Sequence, residues 1–330
     1  MFTYGDAPVD EVALASRVEA HVRGLRGAVP DTPALRRVTV EQGLDSATMV
    51  FFQAVLASPV HGDFVRRVDA RPAAPCSPSN PSTLLIVPAM FHRERPDLGG
   101  DGRLVATIAR ACGFEVEVVP TASRGSVAAN ARIIRRALQE RRGGPVWLFS
   151  LSKGGGEVRV ALQEDETGEA VARLRGWINA SGIVRGSHFI DHMLGSAPRR
   201  LRARAFCLAL GMPYAGAREL QTTHGFWQRA FQLPAHVSTI NLVGVPLGCH
   251  VQKGLVGRYR RLGTLGPNDG FVLLPETVIQ PGLIYPIWGS DHLFRSPLVS
   301  PLLYRLFGLL QDGRAESIDA HAKDLALTGH

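Results

Sequence analysis

The segment Val146-Trp147-Leu148-Phe149-Ser150-Leu151-Ser152-Lys153-Gly154-Gly155-Gly156 decides how this chain is read. An apolar run stops at Ser152, three glycines follow, and Glu157 to Glu164 is compatible with a helix. The order is strand, sharp turn, helix, with a hydroxyl at the apex. A nucleophile elbow has this form, because its turn is so tight that the positions flanking the serine must be small, commonly as Gly-x-Ser-x-Gly. Gly154 keeps the second glycine, and Ser150 stands in place of the first. The plainer reading is a strand-to-helix turn with an incidental serine and a solvated Lys153 beside it.

On both sides of this segment, short apolar runs alternate with helical patterns. Thr83 to Val87 reads as a buried strand ended by Pro88, Leu104 to Cys112 as a helix stopped at Gly113, and Phe114 to Val119 as a strand ended by Pro120. Ser126 to Arg142 predicts a helix with Val127, Ala131, Ile134 and Leu138 on one face. Gly176 to Ala180, Val237 to Leu247 and Ile284 to Trp288 predict further strands, and Pro301 to Leu310 a last apolar helix before a polar tail. Continuous apolar strands between helices imply a mostly parallel sheet covered on both faces, an α/β architecture. In such sheets ligands bind at the carboxyl ends of the strands, where Pro88-Ala89-Met90 and Ser152 fall.

Two stretches depart from this rhythm. Residues 1–80 read as a helical N-terminal extension. Its first helix runs from Asp10 to Leu25. A second opens with a Thr39–Gln42 capping box and carries Leu44, Ala47, Phe51 and Val55 at helical spacing until Pro59 ends it. The Pro-, Ala- and Ser-rich stretch from Arg71 to Pro81 reads as the linker into a main domain at 81–330. Residues 183–235 break the alternation and predict an inserted helical cap, with Met193, Leu194, Leu208, Leu210, Met212, Phe226, Trp227 and Phe231 and the basic cluster Arg199, Arg200, Arg202 and Arg204. The cap's apolar residues either pack on the parent domain or line an acyl pocket.

Composition narrows the function classes. The chain has 330 residues, 45% apolar and 20% charged, as in globular proteins, and a formal net charge of +8. The positive charge is almost all arginine, since lysine occurs only at Lys153, Lys253 and Lys323. The arginines are scattered without interleaved aromatics, which argues against nucleic acid as a partner. Cys76, Cys112, Cys207 and Cys249 have no Cys-x-x-Cys spacing. His188 and His192 are spaced as a helical ligand pair but lack a third ligand, so no metal or cofactor is expected. There is no signal-like start and no apolar run of membrane-spanning length, so the expectation is a cytoplasmic protein with free thiols.

A serine hydroxyl becomes a nucleophile only with a base to take its proton and a third group to orient that base. His292 follows the last predicted strand, and Asp269 lies on a turn 23 residues earlier. Asp269 also reads as a plain turn residue in Pro-Asn-Asp-Gly, and Asp291 as a loop or helix cap. His61, His92, His188, His192, His224 and His250 have no partner evident in the sequence and read as structural.

With the order Ser…Asp…His in place, Thr83 to Leu310 resembles the α/β-hydrolase superfamily. The segments Asn268-Asp269-Gly270-Phe271-Val272 and Asp291-His292-Leu293 are similar to the acid and base regions of bacterial lipases and related esterases. The resemblance implies Ser152 as nucleophile, Asp269 as acid and His292 as base. It implies an oxyanion hole formed by the backbone N–H of Lys153 and, by position, of Met90, although Pro88-Ala89 replaces the usual His-Gly. The implied activity is hydrolysis of a carboxylic ester or thioester of a small molecule through an acyl-serine intermediate, without a cofactor. Acyl transfer by the same fold, or a binding protein that retains the fold without activity, are the alternatives. The Arg199–Arg204 cluster would suit an anionic part of an acyl substrate.

Overall fold

A computed structural model describes residues 7–76, 82–141, 143–144 and 146–312. Before the sheet come four helices: α1 (Glu11–Gly24), α2 (Thr32–Gln42), α3 (Leu44–Ala57) and α4 (Pro59–Asp69). The body follows as β1 (Thr83–Val87), α5 (Arg103–Ala111), β2 (Glu115–Val118), α6 (Val127–Gln139), β3 (Val146–Leu151), α7 (Lys153–Gln163), α8 (Glu169–Ala172) and β4 (Leu174–Ala180). Four helices of the segment expected as a cap, α9 (His188–Leu194), α10 (Ala197–Ala209), α11 (Tyr214–Glu219) and α12 (Gly225–Gln228), lie between β4 and β5 (Ser238–Val245). The chain then runs through α13 (Val256–Leu262), β6 (Leu283–Trp288) and α14 (Val299–Gln311).

The six strands form one sheet in the order β2-β1-β3-β4-β5-β6, and every pair is parallel. Parallel strands covered on both faces need apolar residues on both sides of the pleat, hence the unbroken apolar runs. Leu84 and Ile86 join Trp147, Phe149, Ile240 and Leu242 on one face, under α4, α5 and α14. Leu85 and Val87 point the other way, with Leu148 and Trp177, towards α6 and α7. The edge strand β2 is the exception, with Glu115 and Glu117 turned to solvent. Charged side chains on an edge discourage pairing with another sheet.

The N-terminal helices continue both layers. Phe51 and Val55 of α3, with Leu14, Val18 and Leu35, are buried against Val243, Val245 and Ile284. Phe64 and Val68 of α4 lie in the opposite core with Leu306 and Phe307. The helices thus pass around β6 from one face of the sheet to the other. Phe64 meets Tyr285 edge-on, with ring centroids 6.4 Å apart, and the Tyr285 hydroxyl donates to Asp69 at 2.7 Å.

Two local expectations are corrected and one is extended. Thr39 opens no helix: Asp31 caps α2, and the Thr39 hydroxyl lies in the last turn and donates to the Leu35 carbonyl. Gly43, at φ 90°, separates α2 from α3. The helix carrying Phe51 and Val55 ends at Ala57, before Pro59, as expected, and a further helix follows at once: Ser58 caps α4, and Pro59 takes its first position, where a missing N–H costs nothing. The helix after Ser152 starts at Lys153 rather than Glu157, so the three glycines are helical. The expected linker is irregular from Arg71 to Cys76, and residues 77–81 lie outside the described residues, as does the tail from residue 313. No helix among the described residues is long and apolar enough to cross a membrane.

Candidate active site

Ser152 ends the central strand β3 with φ 51° and ψ −119°, outside the regions open to most L-residues. Such a backbone persists only when the surroundings fix it. Here the glycines fix it from below. A Cβ on Gly154 would lie 2.8 Å from the Val87 carbonyl oxygen, one on Gly155 2.6 Å from Asn179 Oδ1, and one on Gly156 2.4 Å from the Ile183 carbonyl oxygen. Glycine lets α7 press against the strand ends and hold the turn closed. Ser150, in place of the usual glycine, is fully buried. Its Oγ accepts from Trp177 Nε1 at 2.8 Å and donates to Asn179 Oδ1 at 3.4 Å, so the extra hydroxyl is satisfied by β4.

The structure brings the three sequence-predicted side chains together. Ser152 Oγ is 2.7 Å from His292 Nε2, and His292 Nδ1 is 2.7 Å from Asp269 Oδ2. A carboxylate oxygen only accepts, so Nδ1 carries the shared proton and Nε2 is left to accept from the serine hydroxyl. Asp269 is fully buried, and its Oδ1 accepts from the N–H groups of Phe271 and Val272, both at 3.0 Å. The same carboxylate therefore closes its own turn and faces the histidine. The His292 N–H donates to the Asp269 carbonyl at 2.9 Å, which ties the two loops directly. The Phe271 ring covers the imidazole at 4.6 Å between centroids, and the Arg258 guanidinium lies 4.5 Å over Phe271. Asp291 plays the capping part: its carboxylate accepts from the N–H groups of Gln252 and Leu293. Burial pushes its carboxyl above the usual range, against those two bonds.

Two backbone donors, one just after β1 and one just after β3, have no intramolecular partner among the described residues. Among the described residues the Lys153 N–H, first of α7, makes no hydrogen bond within the chain, nor does the Met90 N–H. The amides on either side of Met90 are committed, Ala89 to the Gly100 carbonyl at 2.8 Å and Phe91 to the Ser123 carbonyl at 3.0 Å.

The Lys153 side chain is not solvated, which corrects the sequence reading. Lys153 and Glu157 are each 2% exposed and form an ion pair one turn apart on α7. Asn130 Nδ2 on α6 donates to the same Glu157 oxygen at 2.7 Å. Burial pushes the Glu157 carboxyl up, and Lys153 and Asn130 oppose that shift. Asn130 also clamps Ala122 on both its N–H and its carbonyl, next to the Ser123 that holds Phe91. One buried network thus links the loops that carry Met90 and Lys153. Its i,i+4 lysine–glutamate spacing was readable in the sequence; its Asn130 arm, from another helix, was not.

The histidines divide differently from the sequence reading. His188 lies 3.2 Å from Glu276 and 3.5 Å from Asp191, and these carboxylates hold its imidazole up at about 10. His192 instead faces Arg199. Among the described residues no group of three or more His, Cys, Asp or Glu is gathered as a metal site. A cleft of about 530 Å³ opens between the N-terminal helices and the cap, bordered by Asp31, Arg185, His188 and Glu276. None of Ser152, Asp269 and His292 lines it.

No protein-family model and no curated protein sequence matches the chain. Solved structures do. A metagenomic carboxyl esterase aligns at 19% identity over 77% of this chain and 79% of its own, with a TM-score of 0.55. A Bacillus licheniformis lipase in its mature form aligns at 19% identity over 71% of this chain and 99% of its own, with a TM-score of 0.51. An all-parallel six-stranded sheet flanked by helices and shared with these structures means that the chain has the α/β-hydrolase fold.

Proposed function

We propose that the protein is a serine hydrolase that cleaves a carboxylic ester or thioester of a small molecule. The observation that carries this reading is the unbroken line Ser152 Oγ to His292 Nε2 and His292 Nδ1 to Asp269 Oδ2, at 2.7 Å for each step. The names of the two fold neighbours, a carboxyl esterase and a lipase, point the same way. In the proposed reaction His292 takes the Ser152 proton as the hydroxyl oxygen attacks the acyl carbon. Asp269 holds the imidazole in the tautomer that accepts and stabilises the imidazolium that forms. The tetrahedral intermediate collapses when His292 returns the proton to the leaving alcohol or thiol. The acyl-Ser152 ester is then hydrolysed by water, activated by the same imidazole.

The oxyanion of both intermediates would be held by the N–H groups of Lys153 and Met90, which follow strands β3 and β1 and have no intramolecular partner among the described residues. Losing one such donor typically costs about 2.7–4 kcal/mol of transition-state stabilisation. The Lys153–Glu157–Asn130 network keeps both donors in place while the lysine charge itself stays away from the reaction.

The test is turnover of p-nitrophenyl esters of short and long acyl chains beside acyl thioesters. Turnover of one of these classes is expected, with kcat falling by about 10⁴-fold or more in Ser152→Ala and in His292→Ala. Equal rates in wild type and both variants would overturn the assignment. Acylation of an added alcohol or amine, with hydrolysis of neither class, would replace hydrolysis by acyl transfer.

A further inference from the structure

The cap concentrates positive charge. Between residues 183 and 235 there are seven arginines and two acidic residues. Both acids are turned inward: Asp191 accepts from Thr222 and faces His188, and Glu219 accepts from the first N–H groups of α6. Four of the arginines lie on α10, which carries no acid, and all four are exposed. Among the described residues none of them pairs with a carboxylate. Arg199 and Arg200 lean on the carbonyls of His192 and Leu194, and Arg204 lies over the Tyr214 ring at 5.1 Å.

The helix is also turned inside out. Its inner side is narrow and small, with only Ala203 and Cys207 buried. Ala197, Pro198, Leu201, Ala205, Leu208 and Ala209 recur at helical spacing on its outer side, with Leu201 69% and Leu208 82% exposed. Arg200 and Arg204 border this apolar stripe on one flank. Arg199, Arg202 and Phe206 (53% exposed) border it on the other. An outward apolar stripe edged by arginines is the pattern of a helix that lies in a lipid interface, with guanidinium groups reaching up to headgroup phosphates.

We infer that the outer face of α10 docks the cap on an anionic lipid surface. The charge distribution favours this occupant over others. A second copy of the chain would bring four arginines against four arginines. Nucleic acid would leave the leucine stripe facing phosphates. A lipid surface takes the stripe into its acyl boundary and the arginines into its anionic headgroups. The helix spans about 20 Å, long enough to lie along such a surface and too short to cross it.

Flotation with vesicles of phosphatidylcholine alone, and of phosphatidylcholine mixed with phosphatidylglycerol, tests the inference. The intact protein is expected to float with the mixed vesicles and not with the neutral ones, and to be released by high salt. Leu201→Glu with Leu208→Glu should weaken that binding about tenfold or more. Arg200→Gln with Arg204→Gln should weaken it by about fivefold for each arginine. Both pairs sit on exposed positions, so the thermal midpoint should not move. Ser152→Ala should bind as wild type does, which separates this inference from the proposed reaction. Equal flotation with both vesicle types, no flotation with either, or binding unaffected by both double variants would overturn it. So would a wild-type dimer in light scattering that the leucine variant disperses, because the face would then belong to a second copy.

Discussion

The fold carries two helical additions, and they are built on opposite plans. The N-terminal helices turn apolar stripes inward: Phe51 and Val55 meet one face of the sheet, Phe64 and Val68 the other. The cap turns its longest helix outward, with Leu201 and Leu208 in solvent and only Ala203 and Cys207 beneath. Both regions are rich in apolar residues, so apolar content does not separate them. The direction of the stripe does. One addition completes the core and holds the edge strand β6, and the other is held at a few points and presents a surface.

Truncations test that contrast with the largest expected effect. Phe51→Ala removes a fully buried ring and should destabilise the protein by about 3–5 kcal/mol in denaturant unfolding. Leu208→Ala should change stability by less than about 0.5 kcal/mol. Equal losses at the two positions would break the comparison.

A smaller effect is expected where the cap is tied down. Arg159 on α7 is buried and donates to the carbonyls of Val184 and Arg229, the latter at 3.1 Å, with its guanidinium 5.6 Å from the Trp227 ring and 5.3 Å from the Phe231 ring. Burial pulls its pKa down to about 10. Arg159→Gln leaves those carbonyls poorly satisfied and should cost about 1–3 kcal/mol. The loss should appear as faster amide exchange in residues 225–233, with α1–α4 unchanged.

The smallest effect is a pH dependence at the junction of the two additions. His188 on the cap faces Asp191 and Glu276, and Glu276 accepts weakly from Thr32 of α2 at 3.5 Å. The two carboxylates raise the imidazole from its ordinary 6.5 to about 10. A raised histidine contributes stability that is fully present below pH 6.5 and is lost as pH rises towards 10. His188 is partly exposed, so solvent screening keeps the contribution small. Unfolding midpoints should fall across that window in wild type and be flatter in His188→Gln. A steeper fall in the variant would contradict the assignment.

Legibility followed the same physical divide. Strands β1 and β3 were readable because burial on both faces demands continuous apolar runs, as in Leu84–Val87 and Val146–Phe149, and the other four from shorter apolar stretches alternating with helices and turn residues. Ser152, Asp269 and His292 were readable because each falls at a strand end or turn with its chemistry exposed in the local pattern. The pair Ser58-Pro59 carries two signals, the stop of α3 and the cap of α4, and the helical spacing before it makes only the stop evident. The partnerships of His188 with Glu276 and of Glu157 with Asn130 depend on segments far apart in sequence, and composition carries no trace of them. The outward stripe of α10 was hidden for another reason: a helical period gives the spacing of apolar residues, and only packing says which side is covered.

The central claim is that Ser152 is an activated nucleophile, and labelling with a fluorophosphonate probe tests it most directly. The wild-type protein should be labelled, and both Ser152→Ala and His292→Ala should lose the label while keeping the wild-type unfolding midpoint. Absence of labelling in folded wild type, or labelling that survives Ser152→Ala, would contradict the account.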